Sequence, residues 1–112
     1  MGARRTDRPQ GGTLPVIAAG VLLLAASFGA TGADTIRGAE LYRTHCVNCH
    51  GANGVSTWPG APNIARREGM LQPDMVLLQR LRAGKGAKPG YQGLMSDQDI
   101  LNVIAYSRTL MR

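Results

Sequence analysis

All the cysteine and histidine residues of this 112-residue chain lie within six consecutive positions. They are His45, Cys46, Cys49 and His50, and the last three form a Cys-x-x-Cys-His motif. Two thiols at this spacing can reach two vinyl groups along one edge of a haem, and the adjacent histidine can then ligate the iron. The motif therefore predicts one haem c attached through Cys46 and Cys49, with His50 as an axial iron ligand.

Three other uses of the motif fit the sequence less well. A thioredoxin-like redox pair follows a strand and opens a helix, whereas this pair follows a predicted helix. A zinc site needs four ligands, and two pairs of sequence neighbours would strain to converge on one tetrahedron. A disulfide between Cys46 and Cys49 is compatible with an oxidising compartment, but it leaves His50 without a role.

The first 33 residues have the organisation of an export signal. Three arginines lie within the first eight residues, an uncharged stretch follows at 16–30, and small residues follow that stretch. This order is typical of a secretory signal peptide, which is removed from the mature protein. The uncharged segment 14–33 would just span a bilayer if left uncut, so a membrane anchor is the alternative. Both interpretations place the second predicted domain, 34–112, in the periplasm of a bacterium.

The predicted mature chain is short for a stable core of its own. Residues 34–112 carry ten basic and six acidic side chains, and aromatic residues make up 4% of the whole chain. A chain of this length buries only about 60% of its unfolded surface and usually needs a disulfide, a metal or a large cofactor. The composition excludes a disordered polymer, a multi-domain enzyme and a disulfide-rich scaffold.

Helical patterns occur three times in this domain, and no convincing alternating strand occurs. The predicted helices run from Asp34 to about Cys46, from Pro73 to Gly84, and onward from Ser96. Asp34 and Ser96 are suitable N-cap residues, and Ser96 with Asp99 has the spacing of a capping box. Glycine and proline punctuate the segments between the helices. The pattern predicts an all-α fold with long loops.

In sequence, residues 34–112 resemble the class I c-type cytochromes. The segments 38–42 and 46–51 look like the first helix and haem loop of that family, and 96–106 looks like its final helix. The resemblance implies a cytochrome c-like fold, with about three main helices and long loops wrapped around a covalently bound haem.

The resemblance also implies two contacts around the haem. A glycine of the first helix packs against an aromatic residue of the last helix in this family, which pairs Gly38 with Tyr106. A proline after the haem loop offers its carbonyl to the second ring nitrogen of the iron-ligating histidine, and Pro62 matches that proline. Such a contact fixes the ring and raises its basicity.

The sixth iron ligand departs from the pattern of the family. The family supplies a methionine from a Met-Pro step before the last helix, but here Lys88 precedes Pro89. We rank Met95, the nearest methionine, first as the ligand, an open sixth position second and Lys88 third. Met95 also fits a hydrophobic staple with Ile100. Lys88 must lose its proton before it can donate to iron.

These features favour a carrier of single electrons between redox partners over an enzyme, because the chain offers no apparent substrate pocket beyond the haem. The alternatives are a haem subunit of a larger oxidoreductase and a gas-binding or catalytic haem protein with an open sixth position. We expect a monomer or a subunit of a complex.

The charge pattern predicts the kind of partner. Four basic residues without an acid, Arg80, Arg82, Lys85 and Lys88, would attract redox proteins with acidic docking surfaces. No interleaving of basic and aromatic residues indicates nucleic acid. Contact with a membrane is expected only if the leader is uncleaved.

Overall fold

The computed structural model describes residues 2–4, 11–13, 15, 20 and 32–112. Most of the predicted leader, 1–33, therefore lies outside the described residues. Within the described residues, no helix combines the length and the apolar character needed to cross a membrane.

Helices and loops make up the segment 32–112. The helices are α1 (Thr35–His45), α2 (Val47–His50), α3 (Asp74–Ala83) and α4 (Asp97–Thr109). No strand forms in this segment, where the β-type pairing consists of two isolated bridges, Lys85 with Lys88 and Gln92 with Met95. The predicted all-α fold class is confirmed.

Side-chain caps fix where α1 and α4 begin. The Asp34 carboxylate accepts hydrogen bonds from the backbone N–H groups of Ile36 and Arg37 at 2.9 and 3.0 Å. The Ser96 hydroxyl accepts from the N–H of Asp99 at 3.0 Å. Both residues are the predicted N-caps, and each satisfies donors that a helix start leaves unpaired.

Two helix boundaries differ from the prediction. α3 begins at Asp74 rather than at Pro73, because the ψ of Pro73 is 148° and this extended residue precedes the first turn. The short helix α2 was not predicted from the sequence. It begins directly after Cys46 and ends at Gly51, whose φ of 74° suits a glycine.

α1 and α4 cross at Gly38. A β-carbon at this position would overlap the backbone carbonyl of Asn102 and lie 3.0 Å from the β-carbon of Tyr106. Beside the crossing, the rings of Tyr42 and Tyr106 meet edge to face with centroids 5.3 Å apart. The side chain of Asn102 accepts a hydrogen bond from the Asp34 N–H at 2.9 Å. The expected contact between Gly38 and Tyr106 is therefore present, and the close approach requires glycine.

α4 also holds the segment that leads into α3. The Arg108 guanidinium donates to the carbonyls of Met70 and Gln72 at 2.6 and 2.8 Å, and to the Asp74 carboxylate at 2.7 Å. The Arg108 side chain thus joins Met70, Gln72 and Asp74 to α4.

The core lies where α4 packs on α1 and α3. Its buried residues are Leu41, Tyr42, Ile64, Met70, Leu77, Leu78, Tyr91, Met95, Ile100, Val103 and Ile104. Met95 and Ile100 both belong to this cluster, as the predicted staple at the start of α4 requires.

Candidate haem site

A cavity of about 1030 Å³ opens beside this core. Cys46, Cys49 and His50 line it, together with side chains from α3 and from the segments 58–70 and 84–91. Its buried apolar lining comes from Tyr42, Ile64, Met70, Leu77, Val103 and Ile104. A large, mostly apolar cavity with a few polar groups is the usual form of a cofactor site.

The turn α2 presents both cysteines to the cavity. Backbone hydrogen bonds from the N–H of His50 to the Cys46 carbonyl and from Gly51 to Val47 close the turn at 2.9 and 2.8 Å. Residues three apart on a helical turn share a face. Cys46 and Cys49 are therefore neighbours, and both are half-buried free thiols.

The acidity of Cys46 is unlike that of a redox-active pair. Burial raises the pKa of the Cys46 thiol to about 11, although the nearby Lys88 ammonium acts in the opposite direction. Thioredoxin-like thiols have a lowered pKa, because the thiolate is the reactive form. The environment of Cys46 thus argues against the redox-pair alternative.

His50 is oriented by a backbone carbonyl. Its Nδ1 lies 2.9 Å from the carbonyl oxygen of Pro62. A carbonyl can only accept, so Nδ1 carries the proton and Nε2 keeps its lone pair. A histidine held in this tautomer is prepared to ligate a metal through Nε2.

The loop that carries Pro62 is fastened to α2. The Thr57 N–H donates to the Cys49 carbonyl, and the Thr57 hydroxyl donates to the Asn48 carbonyl, both at 2.9 Å. These bonds tie the loop to the turn that carries the cysteines. The distance between His50 and Pro62 therefore follows from local backbone structure.

A second wall of the cavity consists of α3 and the segment 84–91. This segment folds back tightly on the end of α3, because a β-carbon on Gly84 would lie only 2.5 Å from the Gly90 nitrogen. Paired backbone hydrogen bonds of 3.1 and 3.0 Å join Lys85 and Lys88 across the turn. Lys88 lines the cavity and is half-buried.

Met95 occupies a different place from Lys88. It is 9% exposed within the core cluster, and its N–H donates to the Tyr91 carbonyl at 3.0 Å. It is not among the residues that line the cavity. The structure therefore brings Lys88, and not Met95, together with Cys46, Cys49 and His50.

Tyr91 is a site residue that the sequence argument missed. Its hydroxyl donates to the His45 carbonyl at 3.1 Å, and its ring meets the His45 ring edge to face at 5.6 Å. This contact joins the segment 84–91 to the end of α1, beside the attachment motif. A lone aromatic residue between glycines, as in Gly90-Tyr91-Gln92-Gly93, was the available signal that this loop folds inward.

The charged rim of the cavity is mainly basic. Arg80, Lys85 and Lys88 line the cavity, and Glu68 is the acidic residue among the described lining residues. Arg82 does not line it, and its guanidinium pairs with the Asp97 carboxylate at 3.4 Å. We call the two exposed members of this set, Arg80 and Lys85, the basic rim.

Known proteins resemble this chain in sequence over most of its length. A family model described as cytochrome C oxidase, cbb3-type, subunit III, matches residues 33–106. Cytochrome c6 of Picosynechococcus sp. is 30% identical over 104 residues, covering 83% of this chain and 89% of the relative. Cytochrome c6 of Thermosynechococcus vestitus is 32% identical over 88 residues, covering 76% and 78% of the two chains.

Solved structures resemble the fold. A c-type cytochrome named KustC0563 superposes with a TM-score of 0.60 at 21% identity, covering 67% of this chain and 98% of that one. Cytochrome c6 of the diatom Phaeodactylum tricornutum gives a TM-score of 0.58 at 23% identity, covering 68% and 92%. At these identities the similarity establishes the fold.

The matched residues include the Cys-x-x-Cys-His motif and all four helices up to Tyr106. The similarities confirm the predicted fold class, the haem cofactor and the electron-carrier function. The chain belongs to the class I c-type cytochromes, and it is a monohaem electron carrier rather than an enzyme, with one covalently bound haem c.

Proposed function

We propose that residues 34–112 carry single electrons between redox proteins in the periplasm, after export directed by the leader 1–33. In this proposal Cys46 and Cys49 attach the haem, and His50 ligates its iron. The observation that supports it most is the location of these three side chains in one large cavity, with His50 oriented by Pro62.

The residues that line the cavity fit this role. Haem supplies an iron centre that accepts and releases one electron. Cys46 and Cys49 hold its position, and the Pro62 carbonyl keeps the proton on Nδ1 of His50. The buried apolar walls exclude water from the site, which is one of the influences that set a reduction potential.

Attachment is tested by removing one sulfur at a time. Wild type, Cys46→Ala and Cys49→Ala are expressed with the haem-attachment machinery, denatured, and extracted with acidic acetone. We expect haem colour to stay on the wild-type polypeptide and each variant to lose one thioether, seen as a shift of the reduced pyridine–haem band. Haem that extracts freely from wild type would contradict the proposal.

The basic rim supports acidic redox proteins as partners. Long-range attraction between a basic surface and an acidic protein raises the association rate and weakens as salt increases. We expect electron transfer from an acidic redox protein to slow between 10 and 200 mM salt, where the Debye length falls from about 30 to below 10 Å.

Charge reversal locates this surface. Arg80→Glu should lower the rate of electron transfer at low salt several-fold, and this rate should then depend less on the salt concentration. Arg66→Glu makes the same change of charge at an exposed arginine that does not line the cavity, and it serves as the matched control. Equal effects of both substitutions would show that net charge, and not the basic rim, determines the rate.

A second candidate function is that of a haem subunit in a larger oxidoreductase. The description of the matching family model, an oxidase subunit, favours it. Affinity purification from membranes under gentle conditions separates the two functions. A stoichiometric complex supports the subunit, and recovery of the chain alone from the periplasmic fraction supports the free carrier.

A further inference from the structure

We propose that Lys88 is the sixth ligand of the haem iron, so that the iron is held between the imidazole of His50 and the amine of Lys88. This inference rests on the proposed function, because it requires haem attached at Cys46 and Cys49. It replaces the order of candidates that the sequence suggested, in which Met95 came first.

Among the described residues, Met70 and Met95 are the buried methionines, and neither is well placed for this role. Met95 lies in the core at the start of α4 and does not line the cavity. Met70 lines the cavity beside the loop of Pro62, whose carbonyl contacts His50. Its neighbour Gly69 abuts Pro62, with 3.9 Å between a β-carbon built at Gly69 and the β-carbon of Pro62.

Four other polar residues that line the cavity are engaged or unsuitable. The hydroxyl of Tyr91 donates to the His45 carbonyl, and the hydroxyl of Tyr42 donates to the Gly51 carbonyl at 2.7 Å. The guanidinium of Arg80 has donors and no lone pair to offer. His45 immediately precedes the attachment residue Cys46, and its ring is packed against Tyr91.

Lys88 has the position and support that a ligand needs. It lines the cavity from the segment 84–91, whereas His50 belongs to α2 and Pro62 to the loop that follows α2. The tight contact between Gly84 and Gly90 and the bridge to Lys85 hold its backbone in place. Lys88 and Cys46 also line the same cavity.

Ligation requires a neutral amine. The ammonium releases one proton to solvent, and the nitrogen lone pair then forms the bond to iron. Burial lowers the pKa of Lys88, and Arg80 acts in the same direction, whereas the charge of the Cys46 thiolate opposes them.

The test is spectroscopy of the purified ferric holoprotein at one neutral pH. Electron paramagnetic resonance and near-infrared magnetic circular dichroism distinguish amine, thioether and open coordination. We expect wild type to be low-spin, with the near-infrared band of an amine ligand and without the methionine-to-iron charge-transfer band. Lys88→Ala should lose the low-spin signal, and Lys88→Met should gain the methionine band and a higher reduction potential.

Two control variants make the test specific. Lys85→Ala removes the other lysine of the same turn, and Met95→Leu removes the competing thioether at nearly constant volume. Both should keep the wild-type spectrum. A methionine band in wild type that Met95→Leu abolishes, a high-spin wild type, or a Lys88→Ala spectrum identical to wild type would each overturn the proposal.

Failure of the ligand is distinguishable from failure of the function. If wild type retains haem through acid extraction but the Lys88→Ala spectrum is unchanged, only the assignment of Lys88 as ligand is wrong. If wild type retains no haem, both the proposed function and the ligand assignment are wrong. Lys88→Met keeps the test valid if Lys88→Ala does not fold, because it leaves a long side chain in the cavity.

Discussion

Gly38 lies where α1 and α4 approach so closely that a side chain would not fit. The helix interior normally disfavours glycine, and replacement by alanine usually stabilises a helix by about 1 kcal/mol. At this position a β-carbon would overlap the Asn102 carbonyl, and backbone atoms cannot move aside as a flexible side chain can. The sign of the stability change caused by Gly38→Ala therefore shows whether helix propensity or packing dominates at this position.

We expect Gly38→Ala to lower the stability of the holoprotein by about 1–3 kcal/mol, the range for overpacked sites. The measurement is the midpoint of unfolding by urea, followed by circular dichroism. Ile36→Ala changes an exposed residue of the same helix and should alter stability by less than about 0.5 kcal/mol. A higher midpoint for Gly38→Ala would show that the crossing relaxes and that propensity dominates.

Single residues also show how far the sequence could predict the site. Cys46, Cys49 and His50 were recognisable because their role depends on spacing within five residues, which the sequence records directly. The choice between Lys88 and Met95 depends on which side chain the loop turns toward the cavity. Hydrogen bonds between distant segments decide that, such as those from Tyr91 to His45 and to the Leu81 carbonyl, and no local pattern contains them.

At the scale of elements, caps and periodicity predicted the long helices, and α2 escaped prediction. A helix of four residues is too short to show a period of 3.6, so no apolar stripe marks it. Its turn closes because Gly51 ends it and the loop with Thr57 bonds to its carbonyls. The Arg108 contacts were not predicted for the same reason: they join residues more than 30 positions apart, and no local pattern indicates them.

The Arg108 contacts lead to a prediction about two substitutions. Two of its partners are backbone carbonyls, and the third is the Asp74 carboxylate, whose side chain is 60% exposed. Hydrogen bonds from a charged donor contribute about 1.5–3 kcal/mol, whereas exposed ion pairs contribute about 0–1 kcal/mol. We expect Arg108→Ala to destabilise the holoprotein several times more than Asp74→Ala does.

Urea unfolding of the two variants and of the double variant measures this difference. The coupling between Arg108 and Asp74 should be below about 1 kcal/mol, and it should decrease in 0.5 M salt. Equal losses for the two single variants would mean that the ion pair, and not the contacts to the carbonyls, holds the segment before α3.

At the scale of the whole domain, the haem cavity is large relative to the core around it. About 1030 Å³ lies beside a cluster of eleven buried residues, several of which line the cavity. Without haem, these side chains would face water or collapse inward and lose their packing. This is the physical basis for the sequence-based expectation that so short a chain needs a large cofactor.

We therefore expect the apo form of residues 34–112 to lose most of its helical circular dichroism and its cooperative unfolding transition. The Cys46→Ala/Cys49→Ala double variant, expressed without haem attachment, provides the sample. The holoprotein under the same conditions is the control. An apo form with full helicity and a sharp melt would show that α1 and α4 fold as an independent pair.

The crossing of α1 with α4 also sets an order of events when the chain is made. Asp34 and Asn102 bond across 68 residues, so α1 finds its partner only after nearly the whole chain has emerged. Closing so long a loop is slow, and contacts of this kind delay folding. Cys46 and Cys49 precede Asn102 by more than 50 positions, so both emerge well before this crossing can form. The two attachment cysteines are therefore synthesised before the helix contact that completes the fold.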